Sequence, residues 1–346
     1  MTPAAAPPDT PPSEPPPSEP PLTLKALGWD DRWEARFAPH GTAGREPARV
    51  MRHDGSAVLT AIAGETRQLQ LQRSIPPLAV GDWVVAAGGL TTHLLERSSL
   101  LQRLDPSTGL NQPIAANVDI VMIVCGLDRP LKPGRVQRLL AQVCDSGAHP
   151  LLVLTKADLA ADAAADAERA RTFDPGLEVV TVAALAGQGV DDLVAAAVDR
   201  TVVVVGESGA GKSTLVNALC GRQVADTGGV RTGDSRGRHT TTARQMQLLA
   251  GGGCLIDTPG VRAIGVWAET EAVDQTFADI ADLAVDCRFS DCRHDQEPGC
   301  AVGAAVGRRE LAVQRLESWR GLRQEATSTA LRATEHARRS DRRKRR

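Results

Sequence analysis

Nine residues, Gly206 to Thr214, read GESGAGKST and match the pattern G-x-x-x-x-G-K-S in full. Such a loop wraps phosphate oxygens in backbone N–H groups, here those from Glu207 to Ser213, with Ser208 and Ala210 among them. Gly206, Gly209 and Gly211 keep Cβ atoms out of a close backbone approach. Lys212 is placed to reach the β- and γ-phosphates, and Ser213 to offer a hydroxyl to Mg2+. Thr214 follows in a helix whose N-terminus favours anions. About 45 residues later, DTPG (Asp257 to Gly260) ends an apolar run. Asp257 at a strand end suits a Mg2+ ion held through water, and the Gly260 N–H suits a γ-phosphate.

Between these two motifs lies TGDSRGRHTTTARQ (232–245), polar, Gly-rich and without periodicity. A loop in that slot can order around a γ-phosphate and Mg2+, and one of Thr240, Thr241 and Thr242 would supply the second hydroxyl ligand. TKAD (Thr155, Lys156, Ala157 and Asp158) lies about 50 residues before the phosphate loop. A carboxylate such as Asp158 accepts two hydrogens from the guanine edge, where adenine presents an acceptor instead. A site built for such bonds discriminates by about 10⁴–10⁵. Lys156 can lay its stem along the base or hold the phosphate loop. Thr155 stands where an Asn is usual and offers one hydroxyl in place of an amide. VAALAGQGV (182–190) suits the other base-side loop, with Ala183 where a Ser is usual.

The last constellation is CRFSDCRHDQEPGC, which spaces Cys287, Cys292, His294 and Cys300 as C-x4-C-x-H-x5-C. Three thiolates and an imidazole complete a tetrahedral zinc shell with no open position, a structural rather than catalytic arrangement. Cys125, Cys144, Cys220 and Cys254 are scattered among apolar neighbours and read as buried thiols.

The elements that must position these residues are legible in the apolar pattern. The runs 118–124, 150–155, 177–184, 201–206 and 253–257 read as buried strands, with helical stretches at 132–146, 159–171, 189–199 and 212–221. Strand and helix in alternation predict a parallel sheet with crossover helices, an α/β P-loop domain. From about 45 to 105, short alternating runs (SAVLTAIAG, TRQLQLQ, VGDWVVAAGG, THLLERSSLLQR) predict a small β-barrel, of oligonucleotide-binding (OB) or SH3-like type. From about 270 onward the pattern is helical. The first 22 residues are mostly Pro, Ala, Ser and Glu and predict disorder.

The chain has 346 residues, with 42% apolar and 24% charged, ordinary for a soluble multidomain protein. No apolar run reaches the ~18 residues that span a bilayer, and no secretory leader opens the chain, so a cytoplasmic protein without a membrane partner is expected. The net charge of -2 conceals an asymmetry, because the last nine residues, RRSDRRKRR, are almost all basic and suited to phosphates. Nothing marks a dimer seam, and a monomer is expected.

The order TKAD, GESGAGKST, GRHTTT, DTPG is a circular permutation of the motif order of a GTPase domain. With NQPIAANVDIVMIV (111–124) before it and the Cys/His cluster after it, the chain resembles the ribosome small-subunit-dependent GTPase (RsgA) family over about 45–335. The resemblance implies an OB-fold barrel with its lead-in over 23–110, a permuted GTPase domain over 111–268 and a zinc-binding helical domain over 269–334, which leaves the basic tail at 335–346. It implies a late assembly factor of the small (30S) ribosomal subunit, with hydrolysis of GTP to GDP stimulated by that subunit. Barrel and zinc domain would contact ribosomal RNA. The residue after DTPG is Val261 rather than a water-positioning Gln. By resemblance, His239 takes that role beside Lys212.

Overall fold

The computed structural model describes residues 21–104, 111–174, 176–225, 245–249, 251–257 and 270–344. Helix α1 (Asp31–Phe37) opens where Asp30 caps the Trp33 N–H at 3.1 Å. Strands β1 (Arg45–His53), β2 (Ala57–Ile62), β3 (Glu65–Leu71), β4 (Trp83–Ala87) and β5 (Leu90–Leu94) follow. They pair in the order β1-β2-β3-β5-β4, and β4 returns to β1 to close a five-stranded barrel. The parallel β3–β5 pair in an otherwise antiparallel barrel is the OB arrangement. A bulge between Val50 and Arg52 lets the nine-residue β1 bend. Ala48, Val50, Val58, Leu69 and Val84 fill the barrel interior.

The run THLLERSSLLQR divides between two sheets. Its first part is β5, while β6 (Leu100–Leu104) pairs instead with β7 (Asn111–Ala116). Arg97 explains the division, because its guanidinium grips Asp82 at 2.7 and 2.8 Å and fixes the chain where it leaves the barrel.

The second half of the sheet comprises β8 (Ile120–Gly126), β9 (His149–Thr155), β10 (Glu178–Val182), β11 (Thr201–Gly206), β12 (Gln245–Leu248) and β13 (Cys254–Asp257). Their order is β10-β9-β8-β11-β13-β12, parallel except for β12. Helices α2 (Pro133–Asp145), α3 (Ala163–Arg171), α4 (Val190–Ala197) and α5 (Lys212–Cys220) connect the strands. Val136, Leu140 and Val143 turn one stripe of α2 into the core on one side of the sheet. Leu193, Leu215 and Leu219 serve the core on the other.

Helices α6 (Thr270–Thr276), α7 (Ala278–Ala284), α8 (Ala301–Gly307) and α9 (Val313–Lys344) complete the chain. Their core of Phe277, Ile280, Val302, Leu316 and Trp319 includes Ala141 of α2, so the helical region is packed directly on the α/β region. Helix α9 has 32 residues and runs without a break across the boundary expected at 334.

Two buried arginines join the regions. Arg49 donates to the carbonyls of Leu27, Gly81 (3.2 Å) and Asn117 (3.2 Å) and to the hydroxyl of Thr201 (2.8 Å), beneath the ring of Trp83. Arg315 of α9 holds both oxygens of Asp279 (2.6 and 2.7 Å) and reaches the Phe173 carbonyl at 2.5 Å.

Candidate functional site

Because β8, β9, β11 and β13 run parallel, their C-terminal ends share one edge, and the chemistry-bearing segments leave the sheet there. The phosphate-loop segment follows β11, TKAD spans the end of β9, and Asp257 ends β13. In open α/β sheets this carboxyl edge is where ligands bind. Gly206 has φ +145, and a Cβ there would stand 2.3 Å from the Val124 carbonyl oxygen. Gly209 and Gly211 have φ +78 and +87. Only glycine takes all three positions without strain. Helix α5 starts at Lys212 with no side chain capping its first turn, which leaves backbone N–H groups directed at the loop's hollow. Lys212 donates to the carbonyls of Gly206 (2.8 Å) and Glu207, so its ammonium is drawn into the loop.

Thr155 is buried at the end of β9, and its hydroxyl lies 2.5 Å from the Ala210 carbonyl. Lys156 donates to the Gly209 carbonyl at 2.7 Å and pairs with Asp128 at 2.8 Å. Ala157 and Asp158 lie in a 3-10 turn, Ala157–Leu159, with Asp158 exposed at the edge. Across from it, the turn Ala184–Ala186 follows β10 and carries Leu185, which is 90% exposed. Ser208 and Gly209 are exposed at the loop's tip, and Ser213 and Thr214 are half-buried in the first turn of α5.

The sequence reading missed Asp128, Arg129 and Arg135, which ring the loop. Asp128 is held near pKa 2 by hydrogen bonds from Arg129 and Lys156 and so stays ionised beside the loop. Glu207 pairs with Arg135 and lies 3.9 Å from Arg129. A signal was present for Asp128 and Arg129, since LDRP (127–130) directly follows β8, and charged residues just past a parallel strand point to the ligand edge. His239, Thr240, Thr241, Thr242 and Gly260 lie outside the described residues.

The second constellation sits between α7 and α8. The ligand atoms of Cys287, Cys292, His294 and Cys300 all lie within 4.8 Å of one another. His294 Nδ1 is 3.4 Å from the Cys287 sulfur and 3.5 Å from that of Cys300, and those two sulfurs are 3.9 Å apart. A tetrahedron with metal–sulfur bonds of about 2.3 Å and a metal–nitrogen bond of about 2.1 Å has edges of roughly 3.5–3.8 Å, so the donor set fits one such ion. His294 is only 4% exposed and stacks near Trp319, and burial lowers its pKa, which keeps the ring neutral as a ligand must be. Its φ of +61 is a left-handed conformation that a side chain resists. Glu297 ties the intervening loop, accepting from the N–H groups of Arg293, Asp295 and Gln296 at 3.0, 2.8 and 3.2 Å.

A family profile described as RsgA GTPase matches residues 94–267. The chain is 42% identical over 315 residues to "Small ribosomal subunit biogenesis GTPase RsgA" of Streptomyces coelicolor, covering 87% of this chain and 86% of that protein. The chain belongs to the RsgA GTPase family. It is therefore a GTP-hydrolysing enzyme with a circularly permuted motif order. Two solved structures share the fold. YjeQ from Thermotoga maritima gives a TM-score of 0.62 at 24% identity, over 82% of this chain and 99% of that one. YloQ, titled a circularly permuted GTPase, gives 0.60 at 23%, over 84% and 97%. Within this RsgA-family fold the permutation is visible as strand order: β9, carrying TKAD, precedes β11 in the chain but lies two strands away at the same edge.

Proposed function

We propose that this GTPase acts in the biogenesis of the small ribosomal subunit, binding ribosomal RNA through its barrel and its metal-bearing helical domain. The observation that carries the guanine-nucleotide site is the contact of the TKAD strand with the phosphate loop at one sheet edge, with Asp158 exposed beside them. Asp158 reads the guanine edge, Lys156 lines the base, and the loop from Gly206 to Thr214 takes the phosphates of GTP and GDP. Ser213, Asp257 and one threonine of 240–242 hold Mg2+, and Gly260 meets the γ-phosphate. Mg2+ neutralises charge developing on the phosphate oxygens. With Val261 where a water-positioning Gln would stand, hydrolysis is slow until the subunit completes the site, and His239 orders the attacking water. The Cys/His shell holds one structural Zn2+, since three thiolates and an imidazole suit that ion.

The protein works as a cytoplasmic monomer built from the segments 23–110, 111–268 and 269–334. The Pro-rich 1–22 and basic 335–346 flank them as an extension and a tail. Displacement of a labelled GDP tests the nucleotide assignment: GTP should displace it at least about 10³-fold more effectively than ATP. Equal displacement would remove the guanine assignment.

A further inference from the structure

The residue that departs from the usual base-reading pattern is also bound to the phosphate loop. Thr155 is 2% exposed, and its Oγ1 lies 2.5 Å from the Ala210 carbonyl and 3.3 Å from that of Cys125. A hydroxyl has one proton, and both neighbours only accept. The proton therefore goes to the nearer one, Ala210. The next residue takes the preceding carbonyl of the loop, with Lys156 donating to Gly209 at 2.7 Å. Lys156 adopts φ +57 to do so, a left-handed conformation that a side chain resists. A Cβ on Gly211 would stand 3.3 Å from Thr155 Oγ1, which shows how closely the two segments approach.

We propose that Thr155 is a positioning residue that holds the phosphate loop through the Ala210 carbonyl and makes no hydrogen bond to the base. The proposal rests on the guanine-nucleotide assignment above. It leaves discrimination among bases to Asp158, and it makes the loop and the base-reading strand one rigid unit. With its proton spent, Thr155 has no donor for the base acceptors N7 and O6.

Titration calorimetry of the full chain with GDP and with 7-deaza-GDP, which lacks the N7 acceptor, tests this. Thr155→Val keeps the shape and loses the proton. It leaves the Ala210 carbonyl unpaired, so affinity for both ligands should fall about ten-fold and by the same factor. Thr155→Ser keeps the hydroxyl and should stay within about two-fold of the wild type for both. Unchanged GDP affinity in Thr155→Val would overturn the tether. A loss confined to GDP would place the hydroxyl on N7 and overturn the proposal equally. Thr155→Ala is read in the same way should the valine protein not fold. If the wild type bound ADP as tightly as GDP, the guanine assignment would fall. The tether would then be read from the same variants on whichever diphosphate binds.

Discussion

Asp158 and Thr155 lie three positions apart and divide two tasks that a base-reading motif usually shares. Asp158 is exposed and bears its carboxylate outward, so its replacement should alter binding and leave folding alone. In the GDP displacement experiment, Asp158→Ala should lose about 10² or more of its preference for GTP over ATP, with an unchanged melting temperature. A preserved preference would transfer base reading to another residue. The task of Asp158 is legible in sequence because a carboxylate after a lysine at a strand end implies a specific pairing. The task of Thr155 is not, because a hydroxyl's single proton has no address until a neighbouring carbonyl is placed. Asp128 was hidden for the same reason, since its partner Lys156 lies 28 positions away along the chain.

At the scale of elements, the apolar runs of β8, β9, β10, β11 and β13 identify themselves, because strands covered on both faces are almost purely aliphatic. Three strands escaped: β1, β7 and β12. β1 reads REPARVMRH, and its arginines conceal the alternation; Arg49 is buried there because carbonyls from the lead-in, the barrel and the linker, together with the Thr201 hydroxyl, satisfy it. β12 has only four residues after a long polar stretch, too short for a pattern.

The Arg315 junction has a consequence for pH. Burial pushes Asp174 up to about pKa 6, although Arg315 lies 4.0 Å away, because that guanidinium is committed to Asp279 and the Phe173 carbonyl. A carboxyl whose folded pKa is raised holds its proton more tightly in the native state. Its contribution to stability is present below about pH 4 and is lost as the pH rises through about 6. Asp174→Asn should therefore gain about 1 kcal/mol on the wild type at pH 8, after allowance for solvent screening, and nothing at pH 4. Urea unfolding at the two pH values measures this, and a difference independent of pH would contradict it.

For the whole molecule, the barrel, the GTPase sheet and the helical region are joined by two buried arginines and the shared core at Ala141. The Cys/His cluster ties elements of the helical region together, because Cys300 caps α8 and His294 packs on Trp319 of α9. Metal analysis should find one zinc per chain. Cys300→Ser should lose it and destabilise the helical region, since binding at such a shell supplies roughly 10–16 kcal/mol of folding free energy. A native protein free of zinc would remove that assignment. The domain order was legible because each region has its own period: alternating in the barrel, aliphatic runs in the sheet, helical at the end. The way the regions clasp one another was not, because it depends on single buried polar groups.

In the proposed function, the small ribosomal subunit switches on GTP hydrolysis by this enzyme. The rate of phosphate release from GTP, measured with and without purified small subunits, tests it most directly. The rate should rise by about 10²-fold or more on adding subunits to the wild type. Under the same conditions His239→Ala should stay near its basal rate. A wild-type rate indifferent to the subunits would contradict subunit-switched hydrolysis.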